Sequence, residues 1–349
     1  MPQAFPEEAK AQLDADIVFS NKSDGDIFSI INRYHTEKSR IVDINAHQTG
    51  DPFAPCAISG FGQRVRAFVK IEDGCDRFCS YCIIPKSRGR VRSKAPADLE
   101  KEVQDLAAHG IKEIVLVGIN LSAYGKGQDF DLLDAVAICD RPPGIARVRL
   151  GSLEPRTITP DFCRRAAALP NLCPHFHLSL QSGCDETLRR MNRKYDTARF
   201  YESVTLLRQY FHRPAVTTDL ICGFPDETNR EFEQTMAFIE KCAFADMHVF
   251  PYSVRPGTKA AELVQFSAAV KEERTRRAVA VARTMHRAYL EGCVGQTYPV
   301  LYEQEKDGLY TGHAPNYCEV CVRAEDLHNK IIDTKIVGID GDVLIGELT

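Results

Sequence analysis

The chain has 349 residues, with 26% charged and 44% hydrophobic side chains and a formal net charge of −4. This length and composition are those of a globular protein with two or three domains and a sizeable core. The net charge excludes a protein that is basic over its whole surface, so any RNA partner must bind through local basic patches.

The first 62 residues predict a small α/β unit followed by a linker. Hydrophobic periodicity predicts a helix at 6–13, a strand at 16–20 and a helix at 24–34 that begins at Ser23 or Asp24. One alternation of this kind is too small to fold alone. Residues 38–62 are rich in Gly, Pro, Ser and Asp, which is typical of a linker.

The next 230 residues or so, 62–292, alternate strands with helices. Strands are predicted at 66–71, 113–119, 146–151, 175–180, 215–221 and 247–251. Helices are predicted at 96–109, 130–139, 160–168, 197–210, 229–242 and 270–291. Such alternation implies parallel strands joined by right-handed crossovers. Six units predict an incomplete (βα) barrel, open on one side, whose site lies at the carboxyl ends of the strands.

The last segment, 293–349, has a different pattern. It contains five short strand-like runs separated by turn residues, and Asp340-Gly341 is a hairpin signal. Five short strands in about 55 residues predict a small antiparallel barrel, close to the OB-like class that binds nucleic acids.

Three cysteines follow the first barrel strand at the spacing C-x3-C-x2-C, namely Cys75, Cys79 and Cys82. Three thiolates can hold three irons of a cubane [4Fe–4S] cluster and leave the fourth iron without a protein ligand. An open iron can bind a substrate, as an open zinc site does. The alternative is a structural loop or half of a zinc site, but Cys56 and Cys139 offer no suitable second pair.

The remaining composition indicates the compartment. No apolar run approaches the roughly 20 residues that span a bilayer, and we expect no signal peptide before the first charges. The 13 cysteines lack the spacing of a small disulfide scaffold and fit a reducing compartment. We therefore expect a cytoplasmic protein without membrane association.

The cysteine loop belongs to the first of five motifs that follow one another over most of the chain. They are DGCDRFCSYCIIPKSRGRVRS at 73–93, GSLEP at 151–155, LQSGCDETLRRMNRKY at 180–195, TTDLICGFPDET at 217–228 and HVFPYSVRPGT at 248–258. Together they closely resemble the methylthiotransferases of the radical S-adenosylmethionine (SAM) superfamily. The best match is the branch that methylthiolates N6-threonylcarbamoyladenosine beside the tRNA anticodon.

This resemblance implies three domains. They are a remnant of the family's N-terminal α/β domain with its linker at 1–61, a partial (βα)6 radical SAM barrel at 62–292 and a TRAM-like RNA-binding barrel at 293–349. In the family, three further cysteines of the N-terminal domain hold an auxiliary [4Fe–4S] cluster. The segment 1–27 is similar to the stretch just after the last of them, and the three are absent here. We therefore expect an N-terminally incomplete chain, the alternative being a genuine short variant.

The resemblance also implies a site in which Cys75, Cys79 and Cys82 ligate the [4Fe–4S] cluster and the open iron chelates SAM. The predicted SAM contacts are Tyr81, Asn120, Glu154, Gln181, Arg193, Gly223 and Arg255. Three of them have a structural alternative: a core aromatic for Tyr81, a turn for Asn120 and a solvated loop acid for Glu154. No side chain is singled out as a catalytic acid, base or nucleophile.

Chemistry suggests different tasks for these residues. Gly118, just before Asn120, would permit close approach of a ligand to the backbone. Glu154 could bind the SAM ribose or amino group through charge-assisted hydrogen bonds. Arg193 could clamp the SAM carboxylate in bidentate fashion. Gly223 would wall the adenine, and Arg255 is a candidate for SAM or RNA.

Other polar residues have two interpretations. His175 and His177 alternate on the fourth barrel strand, so they face one way and either reach the cavity or fill the barrel. Asp219 lies inside the fifth strand, and because a buried acid is costly without a partner, we expect it to face the barrel mouth and the substrate. The basic run 86–94 adjoins the cysteine loop and favours phosphate contacts over a plain solvated face.

The leading hypothesis is therefore an enzyme that methylthiolates C2 of N6-threonylcarbamoyladenosine at position 37 of tRNA. Its implied partners are a tRNA anticodon stem-loop and an electron donor such as flavodoxin or ferredoxin, and we expect a monomer. Because the auxiliary ligands are absent, we expect SAM cleavage with poor sulfur transfer. The alternatives are isopentenyladenosine in tRNA or a ribosomal-protein aspartate as substrate, or a non-catalytic iron–sulfur protein that binds RNA.

Overall fold

The computed structural model describes residues 2–22, 27–54 and 64–349. Its N-terminal unit contains α1 (Pro6–Gln12), β1 (Ile17–Phe19), α2 (Ile27–Glu37) and β2 (Ile41–Asp43), and the two strands pair in parallel. The predicted first helix, strand and second helix are confirmed, although the proposed helix start at Ser23 or Asp24 lies outside the described residues.

The predicted linker at 38–62 is wrong at its beginning. Residues 41–43 form β2, because Ile41 and Val42 are β-branched and extend the sheet beside β1. The composition of the whole stretch obscured this short apolar run. Residues 55–63, including Cys56, lie outside the described residues.

The central region has the predicted alternation. Its strands are β3 (Arg66–Asp73), β4 (Arg92–Ser93), β5 (Glu113–Gly118), β6 (Arg147–Leu150), β7 (His175–Gln181), β8 (Ala215–Cys222) and β9 (Asp246–Pro251). Its helices are α3 (Ile84–Arg88), α4 (Pro96–Ala108), α5 (Leu132–Asp140), α6 (Pro160–Ala167), α7 (Asp185–Arg190), α8 (Thr197–Tyr210), α9 (Asn229–Cys242) and α10 (Ala268–Glu291). All six predicted strands and all six predicted helices are confirmed within a few residues.

The strands form an open, partial barrel in two sheets, ordered β4-β3-β5-β6 and β7-β8-β9. Isolated parallel bridges, Val148↔Leu172 and Leu153↔Leu178, connect the two sheets. The six long strands are parallel, while the two-residue β4 pairs antiparallel with the end of β3. No helix among the described residues is long and apolar enough to cross a membrane.

Alternation along β7 separates the core from the barrel lumen. Phe176, Leu178 and Leu180 are fully buried in the main hydrophobic core, beneath the surrounding helices. His177, Ser179 and Gln181 point the other way and stay partly exposed. The lumen of this half-open barrel is therefore polar on the β7 side.

The C-terminal unit is the predicted small barrel, with one difference in strand direction. It contains β10 (Thr297–Lys306), β11 (Leu309–His313), β12 (Glu319–Arg323), β13 (Ile331–Asp340) and β14 (Val343–Leu348), closed in the order β10-β11-β12-β14-β13. β12 and β14 pair in parallel, and the other neighbouring strands are antiparallel as predicted. Its own core includes Tyr302, Val320, Ile336 and Leu344, all fully buried. The unit packs against the amino ends of β3, β6 and β7, where Arg66, Arg147 and His175 contact it, so it lies at the bottom of the larger barrel.

Candidate active site

The cysteine loop leaves the carboxyl end of β3 and is held by backbone hydrogen bonds. Cys75 N–H donates to Gly89 O at 3.0 Å, and Ser80 N–H donates to Met191 O at 3.0 Å. Gly74 allows the first of these approaches, since its φ is +87° and a Cβ there would lie 2.0 Å from Arg90 O. The position of the thiols is therefore fixed by the backbone.

All three loop cysteines line one cavity of about 140 Å³ at the carboxyl ends of the strands. Four of the seven predicted SAM contacts line it as well, namely Tyr81, Asn120, Glu154 and Arg193. Its other walls are Arg77, Ile84, Ile119, Ser152, Leu153 and Ser179. The cavity therefore combines soft sulfur ligands, one ion pair and an apolar wall.

Arg193 connects the thiols to the acid. Its Nη2 donates to Glu154 Oε1 at 2.9 Å, and its Nη1 donates to Cys79 Sγ at 3.3 Å. Its Nε donates to Tyr195 Oη at 2.9 Å, and the Arg193 side chain is only 6% exposed. The guanidinium is thus held by the carboxylate of Glu154. Only some of its N–H donors therefore remain for the carboxylate of a bound SAM. The predicted clamp stays a prediction.

Tyr81 packs as a core aromatic and also lines the cavity, and its predicted contact with SAM stays a prediction. Its ring packs edge-on against the buried Phe224, with centroids 6.4 Å apart, and its side chain also lines the cavity. Its hydroxyl lies 3.5 Å from Arg193 Nη1. Burial raises the pKa of Tyr81 well above its ordinary value, so the phenol is neutral.

The structure gives Gly118 a different task from the predicted one. A Cβ at this position would lie 2.8 Å from Glu72 Oε2, so the glycine makes room for a protein side chain and not for a ligand. Glu72 is fully buried and accepts the Asn120 N–H at 2.6 Å. Burial raises the pKa of Glu72 to about 8. Sequence reasoning missed Glu72, because only the fold brings it beside residue 120.

Replacing Gly118 with alanine is expected to displace Glu72 and to lower the free energy of unfolding by about 1–3 kcal/mol, the usual range for overpacking. The matched control is Gly338→Ala, where the nearest atom would lie 3.9 Å from the added Cβ. Urea unfolding of both variants checks this. Equal stability of the two variants would contradict the steric role of Gly118.

Three predicted contacts do not line this cavity. Gln181 ends β7 with a φ of +68°, and Gly223 lies beside Lys271, with its N–H donating to Glu227 Oε2 at 3.2 Å. Arg255 is exposed on the turn after β9. Gln181 ends β7, and Gly223 and Arg255 follow β8 and β9. Their predicted contacts with SAM stay predictions.

Most of the basic run beside the loop is engaged within the protein. Arg92 contacts Asp73 at 3.3 Å and donates to Arg88 O and Arg90 O. Lys94 pairs with Glu102, and both side chains are buried. Arg90 remains 57% exposed and stacks over the Phe78 ring, 5.1 Å from its centroid. Only part of the run is therefore free to meet phosphate, because charge counting cannot reveal internal partners.

The donor set fits a polynuclear cluster better than a single ion. Across the described ranges, the three-residue group whose ligand atoms lie close enough for one ion is Cys184, Glu186 and Glu231, and it excludes the loop thiols. Thiolates around one zinc must lie about 3.8 Å apart, so the loop thiols are spread too widely for that ion. Burial raises the pKa of Cys75 to about 11, so a metal group must displace its proton.

Comparison with known proteins agrees with this geometry. The model of the radical SAM superfamily matches residues 69–239. The coproporphyrinogen III oxidase HemN of Escherichia coli, described as a radical SAM enzyme, has a similar fold with a TM-score of 0.50 at 14% identity, covering 72% of this chain and 67% of that one.

Relatives at higher identity cover nearly the whole chain. The threonylcarbamoyladenosine tRNA methylthiotransferase MtaB of Bacillus subtilis is 33% identical over 96% of this chain and 76% of its own length. The tRNA-2-methylthio-N(6)-dimethylallyladenosine synthase of Symbiobacterium thermophilum is 33% identical over 95% of this chain and 73% of its own length. The chain thus spans about three quarters of these relatives, and it belongs to the tRNA methylthiotransferases of the radical SAM superfamily.

Proposed function

We propose that the protein adds a methylthio group to C2 of N6-threonylcarbamoyladenosine at position 37 of tRNA. One observation carries the proposal: three loop thiols and the Glu154–Arg193 ion pair line a single cavity at the carboxyl ends of the barrel strands. Sites of parallel barrels lie at this end, and the relatives with this architecture are tRNA methylthiotransferases.

In this proposal Cys75, Cys79 and Cys82 hold a [4Fe–4S] cluster, and SAM binds at the open iron within the same cavity. When bound, the two together supply a carbon-centred radical through one-electron cleavage of a carbon–sulfur bond. Arg193 donates a hydrogen bond to the Cys79 sulfur and so holds that side chain against the cavity wall. Glu154 holds Arg193 in place and offers an acceptor to the amino group or ribose of SAM. Ile84, Ile119 and Leu153 limit the access of water.

The substrate tRNA would contact more than one surface of the chain. We propose the C-terminal barrel, residues 293–349, as a TRAM-like RNA-binding domain, with residues 62–292 as the catalytic domain and 1–61 as part of the family's N-terminal domain. Exposed Arg90 and Lys126, both paired with Asp76, are the nearest candidates for phosphate contacts. We also propose that the protein is a cytoplasmic monomer. Its electron donor would be flavodoxin or ferredoxin, and it would act on the anticodon stem-loop of the tRNA.

Nucleoside analysis of tRNA tests the assignment. Deletion of the gene is expected to remove 2-methylthio-N6-threonylcarbamoyladenosine and to accumulate the precursor without the methylthio group. Accumulation of N6-isopentenyladenosine instead would support the dimethylallyl branch. Unchanged tRNA with a changed ribosomal-protein aspartate would support the protein substrate. The GSLEP and HVFPYSVRPGT motifs favour the threonylcarbamoyl branch.

A further inference from the structure

A polar cluster lies in the lumen of the half barrel, below the thiol cavity. His177 Nε2 lies 3.2 Å from Asp219 Oδ2, and His248 Nδ1 lies 3.4 Å from Asp219 Oδ1. The three residues come from the neighbouring strands β7, β8 and β9, and Asp219 is directly opposite His248 in the register. We call His177, Asp219 and His248 the lumen triad.

The lumen triad is held in place but remains accessible. Thr217 Oγ1 lies 3.0 Å from His177 Nδ1, which fixes the ring. When His177 Nδ1 accepts the hydrogen bond from the Thr217 hydroxyl, the proton is on Nε2, and Nε2–H donates to Asp219. The side chain of His248 is 64% exposed and that of Asp219 is 26% exposed. Burial raises the pKa of Asp219, but hydrogen bonds and charges from His177 and His248 outweigh it and hold the pKa below the ordinary value.

Strand geometry sets the depth of the triad below the reacting centre. Ser179 lines the thiol cavity, and His177 precedes it by two residues on the same face of β7. Two residues of strand span about 7 Å. His175, two residues deeper, packs against Tyr317 of the C-terminal barrel with ring centroids 5.1 Å apart. The triad therefore forms the last accessible polar layer above the barrel floor.

The proposed substrate brings complementary chemistry to this depth. When C2 of the adenine faces the thiol cavity, the N6 substituent is carried on another edge of the ring and extends away from that cavity. A threonylcarbamoyl substituent carries ureido N–H donors, a hydroxyl and a carboxylate. Asp219 can accept from the N–H and O–H groups, and His248, whose Nδ1 faces Asp219, has a second ring nitrogen left to accept from the hydroxyl. An isopentenyl group offers none of these partners.

We propose that the lumen triad reads the N6 substituent and is the specificity determinant for threonylcarbamoyladenosine. The inference rests on the proposed function. An apolar substituent would remove water from Asp219 and both histidines and would offer no hydrogen bonds in place of those that the water made. Sites built to hydrogen-bond a substrate reject analogues that lack the bonding group. Phe250, two residues beyond His248 on the same face of β9 and half exposed, offers a stacking surface for the base.

Binding of anticodon stem-loop RNA tests the inference without requiring turnover. The full chain, with its cluster reconstituted, is titrated by fluorescence anisotropy with three RNAs that carry adenosine, threonylcarbamoyladenosine or isopentenyladenosine at position 37. The wild type is expected to prefer the threonylcarbamoyl RNA over the adenosine RNA by about tenfold, as one charge-assisted hydrogen bond would give. Asp219→Asn and His248→Ala should reduce that preference to about twofold or less, through weaker binding of the threonylcarbamoyl RNA.

The matched control is His109→Ala. His109 also faces an aspartate, Asp105 at 3.6 Å, but on the exposed end of α4, and its loss should leave the preference intact. Thermal unfolding of each variant checks that the fold is retained. The inference would be overturned if both triad variants kept the preference, or if the wild type bound the threonylcarbamoyl and adenosine RNAs equally. Neither result would contradict the proposed function. A wild-type preference for the isopentenyl RNA would contradict the proposed substrate as well.

Discussion

Replacing Cys75, Cys79 and Cys82 together with alanine is expected to abolish cluster assembly and with it all cleavage of SAM. Anaerobic loading with iron and sulfide should give the wild type about four irons per chain and the visible absorption of a cubane cluster. The triple variant should bind no cluster and form no 5′-deoxyadenosine under reductant. The physical reason is that these thiols are the soft ligands of the cavity, and Glu154 and Arg193 cannot replace them.

The control for this experiment is Cys321→Ala, which removes a partly exposed thiol of the C-terminal barrel. It should keep the cluster and the cleavage of SAM. Loss of folding is a separate outcome, and the unfolding temperature of the metal-free triple variant should match that of the metal-free wild type. The backbone hydrogen bonds of Cys75 and Ser80 do not depend on the thiols. An intact cluster absorption in the triple variant would contradict the assignment of these three cysteines as the cluster ligands.

The sequence predicted the elements of the barrel well, because each one carries its own local signal. Strands such as β8 alternate or run apolar, and α9 begins with a complete capping box, in which Thr228 accepts from Glu231 N–H and Glu231 accepts from Thr228 N–H. The short elements α3, β4 and α7 were missed. They span two to six residues, which is too few for periodicity to register.

The site was predictable where chemistry is local in the chain and unpredictable where it depends on distant partners. The cysteine spacing singled out the thiols, the motif order singled out Glu154 and Arg193, and all five residues line the cavity. That these two pair with each other, 39 residues apart, could not be read from either motif. The same holds for Glu72 beside Asn120, and for the basic run whose charges are partly neutralised by Asp73 and Glu102.

The floor of the barrel joins the two larger units through buried charge. Arg149 Nε donates to Glu113 Oε1 at 2.9 Å, and its Nη1 donates to Pro315 O of the C-terminal unit at 2.9 Å. Arg147 Nη1 lies 3.6 Å from Glu113 Oε2 and donates to His313 O at 2.7 Å. Glu113 is the carboxylate that two nearly buried guanidinium groups share, so it stabilises both the sheet and the interface.

Replacing Glu113 with glutamine is therefore expected to lower the free energy of unfolding by about 3–5 kcal/mol at pH 7, the cost of leaving buried charge without its partner. Burial raises the pKa of Glu113, but Arg149, Arg66 and Arg147 outweigh it and hold the pKa at about 2. Because the folded pKa is depressed, this stabilisation is complete above the ordinary carboxyl pKa, near pH 4.5, and is lost as the pH falls towards 2. The variant should lack that part of the acid dependence.

Urea unfolding at pH 7 and at several pH values below 4.5 measures both effects. The control is Glu233→Gln, which removes a carboxylate that also binds an arginine, Arg277, but on the exposed surface between α9 and α10. Exposed ion pairs are screened by water, so the free energy of unfolding of this variant should equal that of the wild type. If Glu113→Gln and Glu233→Gln cost the same, the barrel floor would not depend on a buried ion pair, and apolar packing would have to hold the C-terminal barrel in place.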